Sequence, residues 1–220
     1  MPVQGDLFGG PPPRDAPIGA VDGWAAARTS GRVIGVDEAG RGPLAGPVVA
    51  AAVVLPARLP AALRGLNDSK QLTEAARRQL AATLAALPSV EVGVGTISAT
   101  RIDQINILEA TREAMRLALG RIAHAPEDLV LVDGNLPIPG LPGPQYPLVK
   151  GDGRSWAIAA ASIIAKETRD QLMRAHDRTW PAYGFARHKG YGTVAHRRAL
   201  MSHGACPIHR QSFRWQPADD

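Results

Sequence analysis

The sequence lacks the features on which secreted and membrane proteins depend. Its 220 residues include one cysteine, Cys206, which excludes a disulfide framework. No apolar run reaches the roughly 18 residues that a membrane-spanning helix needs, and the opening residues, MPVQGDLF, have neither the basic nor the apolar region of a secretory signal. Since 45% of the residues are nevertheless hydrophobic, we expect a folded, soluble, cytoplasmic protein with a buried core.

Proline is concentrated at the N-terminus, where five of the 19 prolines lie within the first 17 residues. Because little hydrophobic periodicity accompanies them, we interpret residues 1–31 as a mobile tail in which residues 20–30 could form a short helix. Residues 32–217 are predicted to form one domain.

The hydrophobic pattern of this domain predicts an α/β fold with a mixed sheet. Strands are predicted at 32–38, 47–55, 90–97 and 129–133, with at most a short one at 148–150. Helices are predicted at 72–87, 98–122 and 155–179, with a last helix that contains 196–201. The first two strands form a plausible hairpin.

The formal net charge of +5 is unevenly distributed. From residue 171 to 217 the chain has eight Lys or Arg residues against one acid, Asp177, and five of the six histidines also lie there. Such a basic segment fits a surface that binds a polyanion. The alternative is a solvated, arginine-rich helical face.

Four acids lie where a solvated charge is not expected. Asp37 and Glu38 end one apolar strand, Asp133 ends another, and Asp152 precedes a helix whose N-terminus would favour its ionised form. Clustered carboxylates repel one another unless cations neutralise them, and oxygen ligands select Mg²⁺ or Mn²⁺, two of which can act on a phosphodiester. The alternative is that each acid is a turn or cap residue.

Neighbouring residues of a strand point to opposite faces of the sheet. Asp37 and Glu38 can therefore share a site only where the strand ends. The glycines at positions 40 and 42 make an end at that point reasonable.

Six blocks of the chain resemble ribonuclease HII, in order from about residue 32 to 215. They are IGVDEAGRGPLAG (34–46), NDSKQL (67–72), VDG (132–134), KGDGRS (150–155), AASIIAKETRD (160–170) and HKGYGTVAH (188–196). The GRG of the first block separates the chain from the sister ribonuclease HIII family, which usually has GKG there and an additional N-terminal domain.

The resemblance implies a ribonuclease H-like fold, a mixed five-stranded sheet flanked by helices, with a basic helical C-terminal segment from about residue 171. It implies hydrolysis of the RNA strand of RNA–DNA hybrids, including 5′ to a single ribonucleotide in duplex DNA, leaving a 3′-hydroxyl and a 5′-phosphate. Two Mg²⁺ or Mn²⁺ ions would be held by the four acids, Asp37, Glu38, Asp133 and Asp152, with Asp37 between both ions.

The resemblance also implies how substrate is bound. Recognition of the ribose is assigned to Gly40, Arg41 and Gly42. Tyr191 would stack on the next, deoxy, sugar, with Tyr183 as the second choice, and Lys70 would contact a backbone phosphate. The family resemblance further suggests a monomer.

The N-terminal QGDLF resembles the peptide with which bacterial proteins bind the sliding clamp, with Gln4, Leu7 and Phe8 as the contact residues. His203, Cys206 and His209 follow one another at three-residue spacing, but a fourth ligand is missing, so no zinc site is predicted. The alternatives to a hybrid-cleaving enzyme are a non-catalytic nucleic-acid-binding protein and another nuclease or integrase of the same fold.

Overall fold

A five-stranded sheet lies at the centre of the computed structural model, which describes residues 10–67, 69 and 72–214. The strand order is β3-β2-β1-β4-β5. β1 pairs antiparallel with β2 and parallel with β4, so the sheet is mixed, as predicted. The strands are β1 (Val33–Ala39), β2 (Val48–Val54), β3 (Glu91–Ile97), β4 (Leu129–Asp133) and β5 (Gln145–Leu148).

Helices cover both faces of the sheet. They are α1 (Ala20–Ala26), α2 (Glu74–Ala86), α3 (Ala99–Arg121), α4 (Trp156–Thr179), α5 (Phe185–His188) and α6 (Val194–His203). Four of them begin with a hydroxyl side chain that accepts a hydrogen bond from a first-turn N–H, namely Thr73, Ser98, Ser155 and Thr193. No helix in the described ranges is both long and apolar enough to cross a membrane.

Successive residues of β1 point to opposite faces of the sheet, and the two faces pack against different helices. Ile34 and Val36 are fully buried with residues of α3. Gly35 faces α4 so closely that an added Cβ would lie 2.1 Å from the carbonyl carbon of Ala157. The small residues at the start of α4 allow this approach, and α4 packs directly against β1, the strand that contains Asp37.

Two elements differ from the prediction. The last strand, β5, covers Gln145–Leu148 rather than 148–150, because Lys150 adopts a left-handed conformation (φ 55°) that no strand can continue. Helix α3 is interrupted at Asn106 (φ 66°, ψ 166°), whose side-chain oxygen accepts from the N–H groups of Leu108 and Glu109. The predicted continuous helix therefore restarts at an internal cap.

Helix α1 lies inside the segment that we interpreted as a mobile tail. Val21 and Ala25 are buried in a cluster with Leu129 and Leu131 of β4. The carboxylate of Asp22 accepts from the hydroxyl of Ser155 and from the first N–H groups of α4. The packed body therefore begins before residue 32, and the tail interpretation is too long by at least α1.

Candidate active site

The pairing of β1 with β4 places two of the predicted acids side by side. The parallel register joins Val36 to Val132, and the next residue of each strand is an acid, Asp37 or Asp133. The side chain of Asp37 interacts with Ser162 of α4 and with the charge of Asp133. The ends of two neighbouring parallel strands thus meet at one edge of the sheet, as the sequence predicted.

Glu38 lies on the opposite face of β1 and still reaches the same cavity. Its Oε1 is 3.3 Å from Nη1 of Arg41. β1 ends at Ala39, one residue later, and a cavity of about 330 Å³ at this end is lined by Asp37, Glu38 and Asp133 together. The end of the strand therefore resolves the conflict between the two neighbouring acids.

Burial and like charge raise the pKa values of two of the three acids in this cavity. Burial raises the pKa of Asp37 well above its usual range, and the charges of Glu38 and Asp133 raise it further, against a hydrogen bond from Ser162. Burial also raises the pKa of Glu38; the neighbouring Arg41 opposes this shift and Asp133 adds to it. A bound cation would remove this repulsion.

The donor set fits a hard divalent cation, since every candidate ligand is a carboxylate. In the part of the chain that the structure describes, no three or more His, Cys, Asp or Glu side chains are already grouped to hold a metal ion. Two acids instead accept backbone hydrogen bonds: Asp37 from the N–H of Glu38 at 2.6 Å and Asp133 from that of Gly151 at 2.7 Å.

Asp152 is connected to Asp133 by a backbone hydrogen bond of the neighbouring residue, Gly151. It is buried in the 3₁₀ turn Gly151–Gly153, whose first N–H binds the carboxylate of Asp133. It does not line the cavity with the other three acids. The structure therefore groups Asp37, Glu38 and Asp133 in one cavity. Asp152 lies outside this cavity, in the turn whose Gly151 N–H binds Asp133.

The loop that contains Gly40, Arg41 and Gly42 is held by two buried arginines. Arg210 donates to the carbonyl of Gly40 at 2.6 Å and to that of Arg41 at 2.8 Å. Arg169 packs so closely against Gly40 (φ 96°) that an added Cβ would lie 2.0 Å from its Nε. Neither arginine was a sequence candidate, because each binds carbonyls more than 100 residues away.

Tyr191 lies beside this loop and Tyr183 does not. The Tyr191 side chain lines the cavity, is 46% exposed, and comes 3.9 Å from where a Cβ on Gly42 would lie. Tyr183 is buried, stacks on Phe185 and donates its hydroxyl to the carbonyl of Gly204. The geometry therefore favours Tyr191 of the two tyrosines.

Three further polar side chains, Ser69, Ser162 and Lys166, line the cavity without having been candidates. The hydroxyls of Ser69 and Ser162 are 2.8 Å apart, and Lys166 pairs with Asp170 one turn further along α4. The block AASIIAKETRD contains two of the three, and their helical spacing was the available signal. Predicted contacts at Lys70, Gln4, Leu7 and Phe8 lie outside the described residues.

The arginines of the basic C-terminal segment lie in two environments, one bonded within the fold and one exposed to solvent. Arg210 is buried under the 40–42 loop, and Arg174 pairs with Glu167 and Glu74. Five of its arginines are exposed to solvent: Arg178, Arg187, Arg197, Arg198 and Arg214. Part of the predicted charged surface is therefore present, and part of the charge is structural.

Comparison with known proteins identifies the family of the chain. The family model of ribonuclease HII matches residues 34–216. A ribonuclease HII from Syntrophotalea carbinolica is 53% identical over 183 residues, which are 83% of this chain and 85% of the relative. One from Chlamydia trachomatis serovar A is 55% identical over 184 residues, 83% and 82% of the two chains.

Solved structures lead to the same family. Ribonuclease H2 from Pyrococcus horikoshii OT3 superimposes with a TM-score of 0.69 at 27% identity, over 84% of this chain and 95% of the other. Ribonuclease HII from Archaeoglobus fulgidus, solved in a complex with PCNA, gives 0.69 at 25% identity, over 86% and 98%. Bst-RNase HIII in complex with Mn²⁺ gives 0.60 at 22% identity, over 82% and 65%, and shares the fold. The chain belongs to the ribonuclease HII family, and it is an endoribonuclease that degrades RNA in RNA–DNA hybrids.

Proposed function

We propose that this enzyme cuts the phosphodiester on the 5′ side of a ribonucleotide, in a continuous hybrid or as a single ribonucleotide in duplex DNA. The products are a 3′-hydroxyl and a 5′-phosphate. The observation that carries the proposal is one cavity lined by three acids, by the 40–42 loop and by Tyr191. The acids proposed to carry out hydrolysis are thus adjacent to the loop and the ring proposed to recognise the sugars.

The acids are proposed to hold two divalent cations, Mn²⁺ or Mg²⁺. Asp37, Glu38, Asp133 and Asp152 would be the ligands in this proposal, and the raised pKa values of Asp37 and Glu38 support it. Such ions stabilise the charge on the attacking and leaving oxygens of a phosphodiester. Asp133 and Asp152 are kept in place by the turn that links them through Gly151.

The 40–42 loop is proposed to distinguish RNA from DNA. A glycine backbone lets a sugar approach closely, and the 2′-hydroxyl is the group that only RNA offers. The exposed ring of Tyr191 beside Gly42 provides a surface for the following deoxy sugar. Together the loop and the ring fit an RNA–DNA junction.

The direct test is cleavage of a DNA duplex that contains one ribonucleotide. With Mn²⁺ we expect a single cut 5′ to the ribonucleotide, a 5′-phosphate on the downstream fragment, and loss of cleavage on addition of EDTA. A cut on the 3′ side, a 5′-hydroxyl product or cleavage that continues in EDTA would contradict the proposal.

The tyrosine assignment has a matched pair of variants. Tyr191→Ala removes an exposed ring, so we expect normal stability and reduced preference for the single ribonucleotide over a continuous hybrid. Tyr183→Phe removes only the hydroxyl bonded to Gly204, so about 1 kcal/mol of stability is expected to be lost with unchanged preference. Preference that follows Tyr183 instead would move the stacking role to that residue.

The N-terminal QGDLF is proposed to bind a sliding clamp through Gln4, Leu7 and Phe8. A short extended peptide with an apolar pair can dock into a groove on a partner. The complex of the Archaeoglobus fulgidus relative with PCNA supports clamp binding within the family. Calorimetry of the full chain with a bacterial clamp should show binding that Leu7→Ala/Phe8→Ala abolishes; absence of binding well above micromolar concentrations would remove this partner.

A further inference from the structure

Three hydrogen bonds connect the 206–210 loop to the backbone of Tyr191 through two buried imidazoles. The N–H of Cys206 lies 2.9 Å from Nδ1 of His209. Nε2 of His209 lies 3.0 Å from Nε2 of His196, and Nδ1 of His196 lies 2.9 Å from the carbonyl oxygen of Tyr191. Both rings are buried, so no bulk water competes for these atoms.

The partners at each end determine the tautomer of both rings. A carbonyl can only accept, so Nδ1 of His196 has the proton and its Nε2 is a lone pair. Nε2 of His209 must then donate to it, and this leaves Nδ1 of His209 to accept from Cys206. The opposite tautomer of His209, donating to the carbonyl of Cys206 at 3.2 Å, would set two lone pairs against each other.

The surroundings of the rings keep them neutral. Burial lowers the pKa of His196 to about 4, and burial also lowers the pKa of His209. The ring of His188 stacks on His196 with centroids 4.4 Å apart, and the backbone N–H of Gly190 donates to its Nδ1. The hydrogen-bonded chain is therefore intact at neutral pH.

The same loop holds the other half of the sugar-binding surface. The N–H of Arg210 donates to the carbonyl of Leu44 at 2.8 Å, and the N–H of Gly46 donates to the carbonyl of Ile208 at 2.8 Å. The guanidinium of Arg210 binds the carbonyls of Gly40 and Arg41. Consecutive residues, His209 and Arg210, thus reach the two parts of the site.

We infer that His196 and His209 are positioning residues that hold Tyr191 in register with the 40–42 loop and so determine preference for the RNA–DNA junction. A junction is recognised by two neighbouring sugars at once, so the tyrosine and the loop must keep a fixed separation. Backbone bonds from Leu44 to Gly190 and from Thr193 to Tyr191 hold the chain nearby. The imidazole pair adds the connection to the segment that holds the loop. This inference rests on the proposed function.

The test compares two replacements of His196. His196→Leu removes the donor to Tyr191 and the acceptor for His209, while in His196→Asn the amide nitrogen takes the place of Nδ1. The readout is the ratio of kcat/KM for a single-ribonucleotide duplex to kcat/KM for a continuous hybrid. We expect this ratio to fall about five- to tenfold in both variants, because the Asn amide can replace the bond to Tyr191 but offers no acceptor to Nε2 of His209. A ratio retained in His196→Asn would show that the connection to His209 is not needed and would overturn the inference. His203→Leu, an exposed histidine outside the chain of bonds, serves as the control and should leave it unchanged.

A purely structural role gives a different result. It would lower the melting temperature and reduce kcat/KM equally for both substrates, and an unchanged ratio would overturn the inference. If His196→Leu does not fold, His209→Leu breaks the same connection from the other side and is measured by the same ratio.

Imidazole ¹⁵N spectra of the unmodified enzyme should show the proton on Nδ1 of His196 and on Nε2 of His209; the opposite tautomer of either ring would also overturn the inference. If the unmodified enzyme does not cut a single-ribonucleotide duplex while the tautomers are as expected, the failure lies in the proposed function.

Discussion

Asp37 is buried beside two further acids, Glu38 and Asp133, whose charges raise its pKa. Burial and like charge raise the pKa of Asp37, so keeping these acids ionised costs folding free energy that a bound divalent cation would recover. The protein tolerates this cost because the strand ends of β1 and β4 hold the acids in place.

Replacing one acid tests this directly. Asp133→Asn keeps the oxygen that accepts from Gly151 and removes one negative charge. We expect cleavage to fall about a thousandfold or more while hybrid binding is largely retained. In EDTA the melting temperature should stay the same or rise, because the charge that raises the pKa of Asp37 is gone.

The matched control is Asp15→Asn, an exposed acid near the N-terminus that should change neither cleavage nor stability. An active Asp133→Asn enzyme would remove Asp133 from the proposed ligand set. A melting temperature that falls in EDTA would show that the acid cluster is stabilising without a cation.

Single residues also show what a sequence can and cannot reveal. The grouping of Asp37, Glu38 and Asp133 was predictable, because a charge at the end of an apolar strand is unusual and its position along the chain is visible. Arg169, Arg210 and Asp22 were not, because their partners are backbone groups far away in sequence. His209 appeared in a metal-like spacing, and the structure gives it a hydrogen-bonded neighbour instead.

At the scale of elements, an ion pair joins the beginnings of β1 and β4. The carboxylate of Asp128 accepts from the backbone N–H of Arg32 at 2.8 Å and pairs with its guanidinium at 2.7 Å. The Arg32 hydrogen bond, assisted by the N–H of Ala125 and opposed by burial, lowers the pKa of Asp128 to about 2. The pair thus helps to set the parallel register that places Asp37 beside Asp133.

Removing this charge should have a pH-dependent effect on stability. The pKa of Asp128 is lower in the folded state than in the unfolded chain, so its contribution is present above pH ~4 and is lost as pH falls towards ~2. We expect Asp128→Asn to lower the free energy of unfolding by about 2 kcal/mol at neutral pH. Denaturant unfolding at a series of pH values should show the difference vanish between pH ~4 and ~2; a constant difference would mean that hydrogen bonding, not charge, stabilises this end.

The contact between β1 and α4 makes a second prediction. A methyl group on Gly35 would collide with the backbone of Ala157, so Gly35→Ala should lower the free energy of unfolding by about 1–3 kcal/mol and reduce cleavage by displacing Asp37. Gly120→Ala is the matched control in α3: nothing lies within 4 Å of its added Cβ, so it should be neutral or stabilising. Equal thermal stability of both variants would contradict the close packing of β1 on α4.

The elements themselves were largely predictable, and the exceptions have local causes. Long periodic segments such as α4 and the buried strand β2 were found within one residue of their predicted ends. The interruption at Asn106 and the early strand β5 depend on single backbone conformations that periodicity does not report. The packing of α1 against the domain was not predicted, because its stabilising partners, Ser155 and Leu131, belong to later parts of the chain.

At the scale of the whole molecule, the acids of the cavity and the exposed arginines of the C-terminal segment belong to different elements. The acids line a cavity at one end of the sheet, while two of the exposed arginines, Arg197 and Arg198, lie on α6. Arg197 is close to the Tyr191 segment, since its Nε donates to the carbonyl of Gly192 at 3.2 Å. Exposed cations beside the cavity can neutralise backbone phosphates without reading sequence.

This arrangement predicts how salt affects binding. Each phosphate contact contributes about one unit to the slope of log K against log salt concentration. Arg197→Gln/Arg198→Gln should therefore flatten the slope by about one to two units and weaken hybrid and DNA duplex alike, with little change in kcat at saturation. Arg58→Gln removes an exposed cation after β2, at the end of the sheet away from the acids, and should leave the slope unchanged. If Arg58 affects the slope as much as the α6 pair does, the positive charge acts as a general field rather than as a binding surface beside the cavity.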